Sequence, residues 1–207
     1  MGFRLTYLNV RAAALAREPI PLFGVPFWVR TVEIKRQVVN SNKKCEIICD
    51  SEPKHFINLS ENQKLQSIVS HFQSGIPWEA TPLYDLMLKR ITEAGGTYKG
   101  LRSISDIHRY YNQMDEHFEK VKSDGLWVPV STPFLSILDR KFPLNGITIQ
   151  VLDKGEPCFA GRGTHRLGMS IAAGRELTPA YLIGVSKESL KDGTWSRYLN
   201  PAESKNI

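Results

Sequence analysis

The chain reads as an α/β (α+β) protein, with a helical N-terminal half leading into a small mixed sheet. Three observations predict this. Between residues 60 and 125, apolar residues recur at steps of three and four in three successive runs, each ending at glycine. From 147 to 185, short β-rich runs flank a glycine-bearing turn and one stretch of small residues at helical spacing. Finally, 42% hydrophobic and 23% charged residues in 207 are the proportions of a folded domain with a core, which excludes global disorder.

The first sixty residues give the weakest pattern. Pro19, Pro21 and Pro26 break residues 20–28 into extended or turning pieces. Residues 32–39 alternate like a strand, and 45–49 would be its hairpin partner across Asn40, Ser41, Asn42 and Lys43. We read 1–60 as an N-terminal arm or small lobe and 61–207 as the helical segment plus core. No apolar run reaches the roughly 18–20 residues that span a bilayer, so no membrane partner is expected. Arg4, Arg11 and Arg17 interrupt the apolar stretches near the start, against a secretory leader, and a cytoplasmic protein is the expectation. The first acidic residue is Glu18, which leaves an organellar transit peptide open.

The three cysteines, Cys45, Cys49 and Cys158, are odd in number and fit a reducing compartment. Cys45 and Cys49 with His55 fall short of a zinc set, so no protein metal site is predicted.

The helical runs carry their own punctuation. Ser60 and Gln63 form a capping-box pattern ahead of Leu65, Ile68, Val69 and Phe72, and Gly75 ends that run. Thr81 and Pro82 open the second helix, with Leu83, Leu86, Met87, Ile91 and Ala94 on one face before Gly95 and Gly96. In the third, Ile104, Ile107, Tyr110, Tyr111, Met114, Phe118 and Val121 form one stripe, ended by Gly125. Tyr110 and Tyr111 beside His108 and Arg109 could stack on nucleic-acid bases, but an aromatic stripe at this spacing is expected to be core with His108 and Arg109 outside.

After Gly125, residues 127–130 read as extended and 134–138 as ambiguous. Residues 147–152 and 157–160 read as strands joined by the turn-forming Asp153, Lys154, Gly155 and Glu156. Next comes the turn that carries chemistry: Gly161, Arg162, Gly163, Thr164, His165 and Arg166. Leu167, Gly168, Ile171, Ala172 and Ala173 then give a close-packing helix, Gly174 ends it, and 178–185 reads as a buried strand. Glycines in such a turn let successive N–H groups face inward, and the helix N-terminus adds unpaired donors and a positive dipole end. Arg162, His165 and Arg166 supply charged or switchable donors, and arginine grips phosphate with two parallel bonds. The alternative is a tight structural turn whose Arg and His face solvent. Among the acids, Asp139, Asp153, Glu156 and Glu176 show no paired spacing, and Glu156 stands nearest the turn as a magnesium- or water-orienting group outside the core set. Trp195 either anchors the tail or lids the site.

Gly163-Thr164-His165-Arg166, between an apolar strand and an Ala-rich helix, resembles the Gly-x-x-Arg box of the ParB/sulfiredoxin superfamily. Partition proteins carry Gly-Glu-Arg-Arg there and sulfiredoxins Gly-Cys-His-Arg. Residues 177–182 are similar to the Ile-Pro-Val strand that follows. Residues 118–126 with Val128, Pro129 and Val130 are similar to the helix–Gly–Leu–x–x–Pro–Ile passage that opens the ParB core. The resemblance spans about 115–186. It implies a nucleoside triphosphate, ATP or CTP, accompanied by magnesium, with Gly163, His165 and Arg166 near its phosphates. It also implies an NTPase or small-molecule kinase activity. Thr164 replaces the sulfiredoxin cysteine, which argues against peroxiredoxin repair. About twenty residues follow Val185, too few for the DNA-binding domain of partition proteins. The net charge of +6 and pI near 9.2 keep two alternatives open. One is a non-catalytic protein that binds nucleic acid through its basic surface, and the other a phage or mobile-element assembly protein with a vestigial cradle.

Overall fold

All five side chains from Ile147 to Val151 are buried, the pattern of a strand covered on both faces. The computed structural model describes residues 2–16, 26–39, 46–48, 55–93, 100–124 and 146–197. In it, β5 (Ile147–Val151) lies between β7 (Leu177–Ser186), parallel, and β6 (Pro157–Phe159), antiparallel. The expected 147–152 and 157–160 strands and the turn between them are therefore present.

Four more strands come from the first 58 residues: β1 (Pro26–Arg30), β2 (Arg36–Val38), β3 (Glu46–Ile48) and β4 (Phe56–Asn58). The mixed seven-stranded sheet runs β1-β7-β5-β6-β2-β4, and β3 pairs with β7. The α/β class stands, but the sheet does not wait for the helices to finish. The part of the chain read as an N-terminal arm or small lobe supplies four of its strands.

The hairpin expected between 32–39 and 45–49 does not form. β2 pairs with β4 antiparallel and with β6 parallel, while β3 runs parallel to β7. Strands of three residues are too short for alternation to reveal partners, and every one of these pairings is non-local. Pro179 sits inside β7 without breaking the ladder. It faces Trp28 of β1, and pairing to β5 begins one residue later, at Ala180.

Helix α1 (Gly2–Ala16), which the sequence did not announce, packs against β3 and against α6 (Lys187–Asp192). Ala12 is fully buried there, and Tyr7 and Val10 are exposed. Trp195 is buried edge-on to Phe27, at 6.4 Å between centroids, so it anchors the tail.

The helical elements α2 (Gln63–Ser74), α3 (Pro82–Glu93) and α4 (Ile104–Asp124) follow the predicted runs. The cap of α2 is Asn62, whose Oδ1 accepts from Leu65 N at 2.9 Å, and not Ser60. Thr81 caps α3 as expected, with Oγ1 accepting from Tyr84 N at 3.3 Å. A capping box does occur, at Ser103 and Asp106 ahead of α4. Tyr111, Met114, Phe118 and Val121 are buried and His108 and Arg109 exposed, so the aromatic stripe is core. Two predicted stripe members, Leu86 and Ile104, are 41% and 52% exposed and lie off the packed faces. Ala94, Gly95, Gly96, Gly125 and the segments 127–130 and 134–138 lie outside the described residues.

The chain divides into two compact units. Met1–Leu59, Val128–Arg166 and Glu176–Ile207 form one, which holds the sheet, and Ser60–Trp127 with Leu167–Arg175 form the other. The division crosses α5 (Thr164–Ala172) just after Arg166, so residues 161–166 all belong to the sheet unit. Among the described residues, no helix is long and apolar enough to cross a membrane.

Candidate functional site

The turn begins where β6 leaves the sheet. Ala160 N donates to Thr148 O at 2.8 Å, which keeps the chain against β5 for one residue past the strand. Arg162 then binds Thr148 twice, its N–H donating to Oγ1 at 3.3 Å and its carbonyl accepting from Thr148 N at 3.1 Å. Thr148 is fully buried, so the turn hangs from the interior of the sheet unit. The Arg162 N–H is thereby spent on Thr148 and cannot face a ligand.

Gly161 and Gly163 have φ of 87° and 80°, a region that side-chain-bearing residues avoid. Gly163 is constrained a second time. An added Cβ would lie 2.7 Å from both Gly146 O and Ile147 Cα. Gly146 is in turn pressed on Tyr181, since a Cβ there would run into the phenol ring. The turn thus lies flat on the start of β5, which lies flat on Tyr181. Gly161 differs: among the described residues, Gln37 Nε2 at 4.0 Å is the one heavy atom an added Cβ would approach within that distance.

From this corner α5 starts at Thr164, which is buried, while Arg162, His165 and Arg166 are partly exposed. The first turn of α5 carries no acid, and residues 157–175 as a whole contain no Asp or Glu. Burial pushes the Arg166 guanidinium below its ordinary range, and the nearby Tyr181 works in the opposite direction. It stays cationic at neutral pH. A half-buried cation has lost part of its hydration, and an arriving anion restores the lost stabilisation. All six predicted residues are therefore contiguous at one corner of the sheet unit, with a donor set suited to an anion.

Among the described residues, the candidate acids do not join it. Glu156 is gripped on both oxygens by Arg36, with Nε to Oε1 at 3.1 Å and a second contact from Nη2. Asp153 accepts from Ser186 Oγ, Glu176 is exposed with its carbonyl accepting from Thr31 N, and Asp139 lies outside the described residues. Among the described residues no group of three His, Cys, Asp or Glu could hold a metal ion. Among the described residues, no carboxylate stands free at the turn beside its N–H and guanidinium donors. Cys158 is fully buried on β6, in the role of a small core residue. His55 is exposed, and Cys45 and Cys49 lie outside the described residues.

Comparison with family models, with curated proteins and with solved structures returned no match in any of the three.

Gly146, Tyr181 and Gln37 complete the corner, and the sequence reading missed all three. They approach the turn only through sheet register, which no local spacing encodes.

Proposed function

We propose that the 161–166 turn binds the phosphates of a nucleoside triphosphate, ATP or CTP, and that the chain hydrolyses it or passes a phosphoryl group to a small acceptor, as a ParB/sulfiredoxin-like protein. The observation that carries this reading is the pairing of two positive-φ glycines with a half-buried arginine at the start of a nine-residue helix. The first N–H groups of any helix lack intrahelical acceptors and form a standing anion site. Arg166 adds a fixed charge with two parallel donors, and Arg162 and His165 border the same corner.

In phosphoryl transfer the protein's task is mostly to position the phosphates and to stabilise developing charge. Backbone held flat on β5 suits that task, because it does not have to reorganise as charge moves. Magnesium bound to the nucleotide would neutralise phosphate charge, and here the ion would be carried by the phosphates, since Glu156 is engaged by Arg36. Thr164 in the sulfiredoxin cysteine position supports phosphate chemistry over redox repair.

The test is differential scanning fluorimetry with ATP, ADP, CTP and GTP, each with and without magnesium, on the native chain and on Arg166→Ala. The expected outcome is a raised melting temperature with one nucleotide, lost in Arg166→Ala while the unliganded fold is kept. No shift with any nucleotide would overturn the reading. Salt-steep binding of oligonucleotides in that event would favour the nucleic-acid alternative.

A further inference from the structure

We propose that Gln37 is a ligand-binding residue of the same site, donating its side-chain amide to a phosphate oxygen at the Gly161 corner. The inference rests on the phosphate reading above and sharpens it to one contact.

The two glycines of the turn have different surroundings. Where a side chain would stand on Gly163, the backbone of Gly146 and Ile147 fills the space. Where one would stand on Gly161, the nearest heavy atom among the described residues is Gln37 Nε2, at 4.0 Å. Gly161 is itself exposed. A ligand seated on the turn can therefore reach the backbone at Gly161, and there it meets a carboxamide.

Gln37 comes to this corner by strand register. β2 runs parallel to β6 with Arg36 beside Cys158 and Gln37 beside Phe159, so β2 ends level with the turn that leaves β6. β4 pairs with the other edge of β2, with Gln37 beside Ile57, and the strand is held from both sides. Arg36, next in sequence, grips Glu156 with both prongs of its guanidinium and ties β2 to the loop between β5 and β6. A side chain presented from such a strand is oriented before ligand arrives, which keeps the entropic cost of binding low.

A carboxamide brings hydrogen-bonding groups without charge. It donates to a phosphate oxygen, and it does not act as a general base at neutral pH. The contact belongs to the phosphate chain and not to the base, because it borders the phosphate turn itself.

The test is isothermal titration of the full chain with inorganic tripolyphosphate, and with the nucleotide that gives the largest melting shift, in four forms: native, Arg166→Ala, Gln37→Glu and Gln37→Met. Gln37→Glu keeps the shape and turns the donor into a like charge, so tripolyphosphate binding should weaken by about tenfold or more. Gln37→Met removes the carboxamide without adding charge and should cost about two- to tenfold. Should the glutamate variant melt lower without ligand, the methionine variant decides. Native-like affinity in both, with Arg166→Ala abolishing binding, would overturn the Gln37 assignment and leave the phosphate reading standing. Weakened nucleotide binding with unchanged tripolyphosphate binding would also overturn it, by moving the contact to the sugar or base. A native chain that binds neither ligand overturns the phosphate reading and this inference together.

Discussion

The helical unit and the sheet unit are held by different kinds of contact. In the helical unit, order starts locally: Asn62, Thr81 and Ser103 each accept from a backbone N–H three residues on. Its core is then an aromatic stack, with Trp78 4.3 Å from Tyr111 and Phe72 3.9 Å from Phe118. In the sheet unit the β5–β6 hairpin is local, but the other strand pairings are not. β1 is completed by β7, β2 by β4 and β6, and β3 by β7. The difference teaches where a binding corner can be built. Gln37, Gly146, Gly161 and Tyr181 meet because a sheet draws distant segments to one place, whereas the helical unit spends its conspicuous aromatics on its own core.

The largest expected effect breaks the helical side. Trp78 is buried, stacks on His71 at 3.9 Å and on Tyr111, and donates Nε1–H to Asp115 at 2.9 Å. Trp78→Ala should cost about 3–5 kcal/mol in urea denaturation, the usual range for deleting a large buried aromatic. A loss under about 1 kcal/mol would show that the core is centred elsewhere.

Gly163→Ala attacks the sheet side next. Alanine at this φ is strained by about 1–2 kcal/mol, and its Cβ overlaps the 146–147 backbone, which adds about 1–3 kcal/mol. A destabilisation of about 2–5 kcal/mol in the same assay is expected. The outcome that contradicts the close packing is a variant as stable as the native chain. Gly161→Ala shares the positive φ without the overlap and is the matched control.

These two contrasts also explain what the sequence made legible. Helical periodicity and terminal glycines are written within a dozen residues, so α2, α3 and α4 were readable, and so was the strand–turn–helix run from 147 to 185. β2 and β3 were legible as strands within 32–39 and 45–49 but not in their pairing, and β1 and β4 were not legible as strands, because three- to five-residue strands carry little pattern and their partners lie elsewhere in the chain. Even within the helices the reading slipped by a turn of chemistry. Ser60 and Gln63 have the capping-box spelling, yet the neighbouring Asn62 takes the cap. The box forms instead at Ser103 and Asp106, where the third-position acid binds back to the cap residue. At the site, the six residues of the turn were legible as a run, while Gly146, Tyr181 and Gln37 were hidden by the same non-locality that hid the strands.

The smallest expected effect sharpens the comparison by testing a purely local contact. The Asp106 carboxylate accepts from the Arg102 backbone N–H and from Ser103 Oγ, each at 3.0 Å, and pairs with Arg109. The Arg102 N–H first, then the Ser103 hydroxyl, hold its carboxyl below the usual carboxylate range, with a smaller contribution from Arg109. A carboxyl lowered in the folded state stabilises the fold above its unfolded value, and that contribution fades as pH falls through the folded one. Asp106→Asn keeps an acceptor but not the charge. The native chain should therefore be slightly more stable than the variant at neutral pH, and the gap should close as pH drops into and below the ordinary carboxylate range. Denaturation midpoints of both forms across that range measure it. A gap that stays constant with pH would assign the difference to shape and not to charge, and the start of α4 would then owe its order to Ser103 alone.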